Sequence, residues 1–158
     1  MTAPTVRAFL GDGSTFATAK AAAAYVGMVP STWSSGMVSQ PSRAITKEGP
    51  AVLRLAFYQA AGAARRVDPQ LAACYRHLMV ERGHCHTQAT VAVARKLIER
   101  TWTVLTRGEP YQYRDIDNTL ITRAVAKHQA RHDHLVPESV RARARARTAA
   151  THRAKLTH

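Results

Sequence analysis

The sequence predicts an all-α protein: a small helical domain of about four helices, with a long Ser/Gly/Pro-rich loop and a basic C-terminal tail. Three observations predict it. Hydrophobic residues make up 46% of the 158-residue chain while aromatics make up only 6%, and much of the apolar share is alanine. Alanine is the best helix former and has little area to bury, so the core is thin and built from helices. Apolar side chains recur at three- and four-residue spacing, and the periodic stretches are bounded by Ser, Thr, Asp, Pro and Gly at positions suited to helix ends.

The first element is expected over residues 15–26, TFATAKAAAAYV, with Ser14 or Thr15 as N-cap and Gly27 past the end. The following GMVPSTWSSGMVSQPSR has no period and reads as a loop of about fifteen residues, a length that is usually functional or mobile inside a compact domain. A second helix opens between Thr46 and Pro50, carries Leu53, Phe57 and Ala60 on one face, and ends before Asp68. Asp68 and Pro69 then supply a cap and a first-turn proline for a third helix, striped with Leu71, Cys74, Tyr75, Leu78 and Met79 and closed by Gly83. The fourth and longest runs from His86 to Arg107, its apolar face including Val93, Ala94, Leu97, Ile98 and Trp102, with Gly108 at its exit.

After residue 113 the composition shifts to ten basic and four acidic residues with few large apolar ones. A solvated basic helix is expected near 117–131, followed by a largely disordered tail containing the alternating VRARARAR of 140–147. Alternation also suits a strand, but a strand without a partner is unstable. The division expected is a helical domain over 1–113 and a basic helix with tail over 114–158.

Charge narrows the function. Lys and Arg number 23 against 10 Asp and Glu, a net charge of +13 with a pI near 10.9, and residues 41–158 carry +12 of it. A polyanion partner follows, and with no lipidation signal, signal peptide or membrane-length apolar run, nucleic acid in the cytoplasm is favoured over a bilayer. Cys74 and Cys85 are too few for a disulfide framework and are expected to stay reduced.

One loop brings a nucleophile together with phosphate-binding groups. Trp33-Ser34-Ser35-Gly36 is followed by Arg43, Ile45, Thr46 and Lys47; Gly36 frees the backbone beside a hydroxyl, and Arg43 and Lys47 suit a scissile phosphate. A flexible serine-rich linker explains the same residues. Cys74, His77, His84, Cys85 and His86 have zinc-ligand chemistry, but three adjacent residues suit one tetrahedral site poorly and Cys74 lies on the apolar stripe, so no metal site is assigned. His128 and His132 share a helical face without the acidic partner of a metalloprotease helix. Tyr111 and Tyr113 suit either base stacking or closure of the core.

The blocks FATAKAAAAYVGMVPSTWSSG, ITKEGPAVLRLAFYQAA and DPQLAACYRHLMVERGHCHTQATVAVARKLIERTWTVLTRGEPY resemble, in order, the C-terminal domain of the insertion-sequence 110/116/902 transposases. That family includes the pilin-inverting recombinases, and the resemblance covers roughly residues 10–113. It implies a serine that attacks DNA phosphate to form a covalent intermediate, and the family's serine-glycine motif falls on Ser35. It also implies partners: DNA, a structured guide RNA, and a RuvC-like domain in cis or trans whose acidic tetrad holds magnesium, in a homo-oligomer. The residues before position 10 leave no room for that domain, so a truncated copy with no cofactor of its own is expected, and Asp12, Asp115 and Asp117 do not replace the tetrad. The expected nucleic-acid-binding set is Arg43, Lys47 and Arg54, joined by Arg141, Arg143, Arg145 and Arg147 in the tail. The alternative is a non-catalytic nucleic-acid-binding remnant.

Overall fold

In a computed structural model, residues 2–30 and 44–156 are described. They form helices α1 (Thr2–Leu10), α2 (Ala19–Val26), α3 (Ala51–Ala64), α4 (Pro69–Val80), α5 (His86–Arg107), α6 (Arg123–His132) and α7 (Glu138–Leu156). Among the described residues β pairing is confined to two isolated antiparallel bridges, Pro30 with Ile45 and Arg114 with Leu120. The fold is all-α, as its composition dictates.

The chain divides into two compact units, one of residues 1–60 and 94–110, the other of residues 61–93 and 111–158. The first has a core of Leu10, Val26, Leu53, Phe57 and Ile98, each at most 2% exposed, filled in by Ala22, Ala23 and Ala94. Alanines let backbones approach closely, so a few large side chains suffice. Trp102 is tied into this unit through its indole Nε1, which donates to Gly13 O at 3.0 Å and Phe16 O at 3.2 Å. Its core also receives Leu10 from α1, a helix that the sequence reading leaves unassigned.

In the second unit α4 packs against α6 and α7. Its core holds Leu71, Tyr75, Met79, Val93 and Val136, with Ala126, Ala130 and Ala144 where helices meet. Asp68, 3% exposed, caps α4 by accepting from Leu71 N at 2.9 Å, and it also accepts from the Tyr111 hydroxyl. Tyr111 therefore ties the segment after α5 to the α4 cap, and its ring meets Tyr113 edge-on at 5.3 Å.

Three boundaries differ from those expected, each for a local reason. α2 starts at Ala19, not near residue 15, because Thr18 is the N-cap and accepts from Ala21 N, while Asp12 folds residues 12–14 into a turn through Ser14 N and Oγ. α6 starts at Arg123 because residues 114–120 make a bridged turn with Asn118 at φ 71°, and Thr122 caps the helix. The tail expected to be largely disordered forms α7: Pro137 precedes it, Glu138 supplies an acidic first turn, and Ala144 and Arg141 anchor it, the latter donating from Nε to Val136 O at 3.1 Å.

Candidate functional site

Ser34, Ser35, Gly36 and Arg43 lie outside the described residues, but both flanks of the segment that carries them are described. Val29 and Pro30 on one side meet Ile45 and Thr46 on the other. Pro30 pairs with Ile45, Thr46 N donates to Val29 O at 3.0 Å, and Lys47 N donates to Gly27 O at 3.1 Å. The described flanks of residues 31–43 thus meet in one closed stem.

Glycine makes the stem possible. A Cβ on Gly49 would lie 1.9 Å from Tyr25 O and 2.7 Å from Val26 C. One on Gly27 would lie 2.9 Å from Glu48 N and Gly49 N, and Gly27 also sits at φ 73°, where it ends α2. Two backbones therefore touch with no side chain between them.

Arg54 locks this approach. From the first turns of α3 its Nη1 donates to Lys47 O at 3.0 Å and to Gly49 O, with Val26 O at 3.5 Å. The residue expected on sequence grounds to hold nucleic acid spends that nitrogen on carbonyls from both sides of the stem. Lys47 is exposed and occupies the left-handed region at φ 58°, placing a cation at the exit of the serine-bearing segment.

The remaining predicted cations lie on α7. A helix turns about 100° per residue, so arginine at every second position separates into two pairs on opposite faces, Arg141 with Arg145 and Arg143 with Arg147. Arg145 pairs with Glu138, whose other carboxylate oxygen is 3.9 Å from Arg141. The hydrogen bond and charge of Arg145, then the charge of Arg141, hold the Glu138 carboxyl below the usual carboxylate range. Arg147 Nη2 donates to Gly83 O, and Arg143 is exposed.

A cluster unremarked in the sequence joins Arg65, Tyr75 and His86. The Arg65 guanidinium lies 4.2 Å from the Tyr75 ring centroid, and the Tyr75 hydroxyl is 2.7 Å from His86 Nδ1. Desolvation, then the nearby Arg65 charge, pushes the His86 pKa below its ordinary value. No signal in the chain links residues 65, 75 and 86; only the turns between helices do.

The possible zinc ligands do not converge on one site. His77 Nδ1 is 2.6 Å from Glu81, Cys74 and Cys85 form no disulfide with each other, and no group of three or more His, Cys, Asp or Glu among the described residues is arranged to hold a metal. His128 and His132 lie ring to ring at 4.5 Å on α6. No helix of the described residues is long and apolar enough to cross a membrane.

No solved structure matches the chain. It is 34% identical over 113 residues to the insertion element IS110 uncharacterized 43.6 kDa protein of Streptomyces coelicolor, an alignment covering 72% of this chain and 27% of the relative. The chain thus spans about a quarter of the length of the curated relative it matches. Residues 1–76, which contain α1, α2, the stem, α3 and the start of α4, match the family described as Transposase IS116/IS110/IS902, and the chain is similar to that transposase family over this stretch.

Proposed function

We propose that this chain supplies the serine nucleophile and part of the nucleic-acid-binding surface for DNA transposition. The observation that carries the reading is the closed stem: Pro30 paired with Ile45, and the brace of Arg54, hold the two flanks of the Ser35-bearing stretch together, with Lys47 on the C-terminal flank. A nucleophile delivered to a phosphodiester needs such a base, because reaction rate depends on holding attacking and attacked atoms in register. In the step proposed, Ser35 Oγ bonds to phosphorus, the P–O bond to the leaving strand breaks, the serine proton departs to a base, and the leaving oxygen is protonated. Arg43 and Lys47 balance charge on the phosphate.

The described residues include no group of acidic side chains arranged as a magnesium site. The acidic ligands are assigned to a RuvC-like domain in cis or trans, and a structured guide RNA and homo-oligomer complete the reading that family resemblance supports. The alternative is a nucleic-acid-binding remnant without chemistry.

Mixing the chain with a matching RuvC-like domain, cognate RNA, DNA and magnesium separates the two. A protein–DNA adduct that survives denaturation is expected, abolished by Ser35→Ala and only weakened by Ser34→Ala. The reverse pattern moves the nucleophile by one residue. An adduct persisting in the double mutant removes the serine mechanism and leaves the binding reading.

A further inference from the structure

The second unit contains a groove of about 810 Å³ between α4, the start of α5 and α7. Arg65, Arg141, Arg145 and Arg153 line it together with His86 and His152, and no carboxylate is in the lining. Its base is apolar, formed by Tyr75, Met79 and Ala144, which are 3–5% exposed. This site owes nothing to the stem in the first unit, and most of its cations come from α7, beyond residues 1–76.

We propose that this groove binds the sugar–phosphate backbone of a single nucleic-acid strand, with Arg141 and Arg145 as its central phosphate contacts and Glu138 as an internal anion that competes for them. The proposal rests on the nucleic-acid reading above and gives it a location. Charge complementarity selects the occupant: four guanidiniums converge on a concavity without an opposing carboxylate in its wall, and guanidinium forks match phosphate oxygens. Shape selects the strand, because a concavity of this volume takes nucleotide-sized groups, whereas a duplex reads best on a convex helix or loop.

Two details strengthen the assignment. Arg65 Nε is buried and without a hydrogen-bond partner among the described residues, so a lining residue carries an unmet donor. The ion pairs of Glu138 with Arg145 and Arg141 join side chains that are 42–67% exposed. Exposed pairs of this kind are held weakly, and a phosphate bringing its own charge displaces the carboxylate readily. Glu138 thus shows where an anion sits on this arginine pair.

The test uses the full chain and a labelled single-stranded oligothymidylate, followed by fluorescence anisotropy over a salt series. Arg141→Ala with Arg145→Ala is expected to weaken binding by about tenfold or more and to flatten the salt slope by about 1.4, the value for two phosphate contacts on a single strand. Arg143→Ala with Arg147→Ala removes the same charge from the opposite face and should cost less than about threefold. The two pairs are matched in structural cost, since Arg141 donates to Val136 O and Arg147 to Gly83 O. Glu138→Gln, which removes only exposed ion pairs, should tighten binding by about threefold. Equal losses from the two arginine pairs, no gain from Glu138→Gln, or a preference for duplex of the same length overturns the groove while leaving nucleic-acid binding in place. Failure of the unaltered chain to bind single strand or duplex overturns the nucleic-acid reading itself.

Discussion

The stem of the first unit and the groove of the second both depend on arginine, yet the residue serves opposite ends in the two places. Arg54 turns inward and holds backbone carbonyls from two chain segments, so its charge offsets orphan acceptors. Arg141 and Arg145 lie on an exposed helix face and are paired with a single surface carboxylate. Formal charge therefore does not locate a phosphate-binding surface; the partners of each guanidinium do.

Substitution at the stem is the harshest way to press this comparison. Gly49→Ala forces a methyl group onto Tyr25 O and the Val26 carbonyl carbon, backbone atoms that cannot rotate away. A cost of about 3 kcal/mol or more is expected, at the upper end for overpacking. Amide exchange at Thr46 and Lys47, whose N–H groups close the stem, should accelerate by more than about a hundredfold. Exchange unchanged at those amides would mean that the two backbones are not in contact.

Next in size is Arg54→Met, which keeps the aliphatic stem of the side chain and deletes the donor. Charge-assisted hydrogen bonds contribute about 2 kcal/mol, so the same two amides should exchange roughly thirtyfold faster. Arg145→Met on α7 should leave the melting temperature where it was and change only nucleic-acid binding. Should Arg54→Met instead leave stem exchange intact and weaken nucleic-acid binding, Arg54 would join the α7 arginines in function and the contrast would fail.

The smallest effect concerns pH. His86 has its pKa lowered by desolvation and by Arg65, so the folded second unit resists a proton that the unfolded chain accepts near pH 6.5. Stability from this source is complete above about pH 6.5 and declines as pH falls below it toward the depressed folded value. A drop of a few degrees in melting temperature between about pH 7 and pH 5 is expected, and His86→Asn should flatten that part of the profile. A melting temperature that rises on acidification in the unaltered chain, and not in His86→Asn, would reverse the sign assigned to the Tyr75–His86–Arg65 cluster.

Much of the fold is legible in the chain because its punctuation is local. Gly27 ends α2 in the left-handed region, Asp68 and Pro69 open α4, and Gly108 at φ 67° follows α5, all within a few residues of where their chemistry places them. Ser35 and Arg43 are marked out by motif and resemblance, and both residues lie outside the described part of the structure. Lys47 is exposed on the C-terminal flank of that segment. Local chemistry misjudged the tail: VRARARAR gives no amphipathic stripe, and α7 takes its place through Ala144 and through Arg141 and Arg147 donating to backbone carbonyls.

Helical class, most helix ends and the excess of positive charge follow from the chain alone, since propensity, capping and charge are properties of neighbouring residues or of composition. Only the tertiary fold sets which cations reach across to distant backbone carbonyls and which pair on the surface. Arg54 meets Val26 across 28 positions, Arg147 meets Gly83 across 64, and Trp102 meets Gly13 across 89. Such pairings are set by the packing of whole helices, where the cost of closing a long loop is offset by burial that no short window of sequence contains.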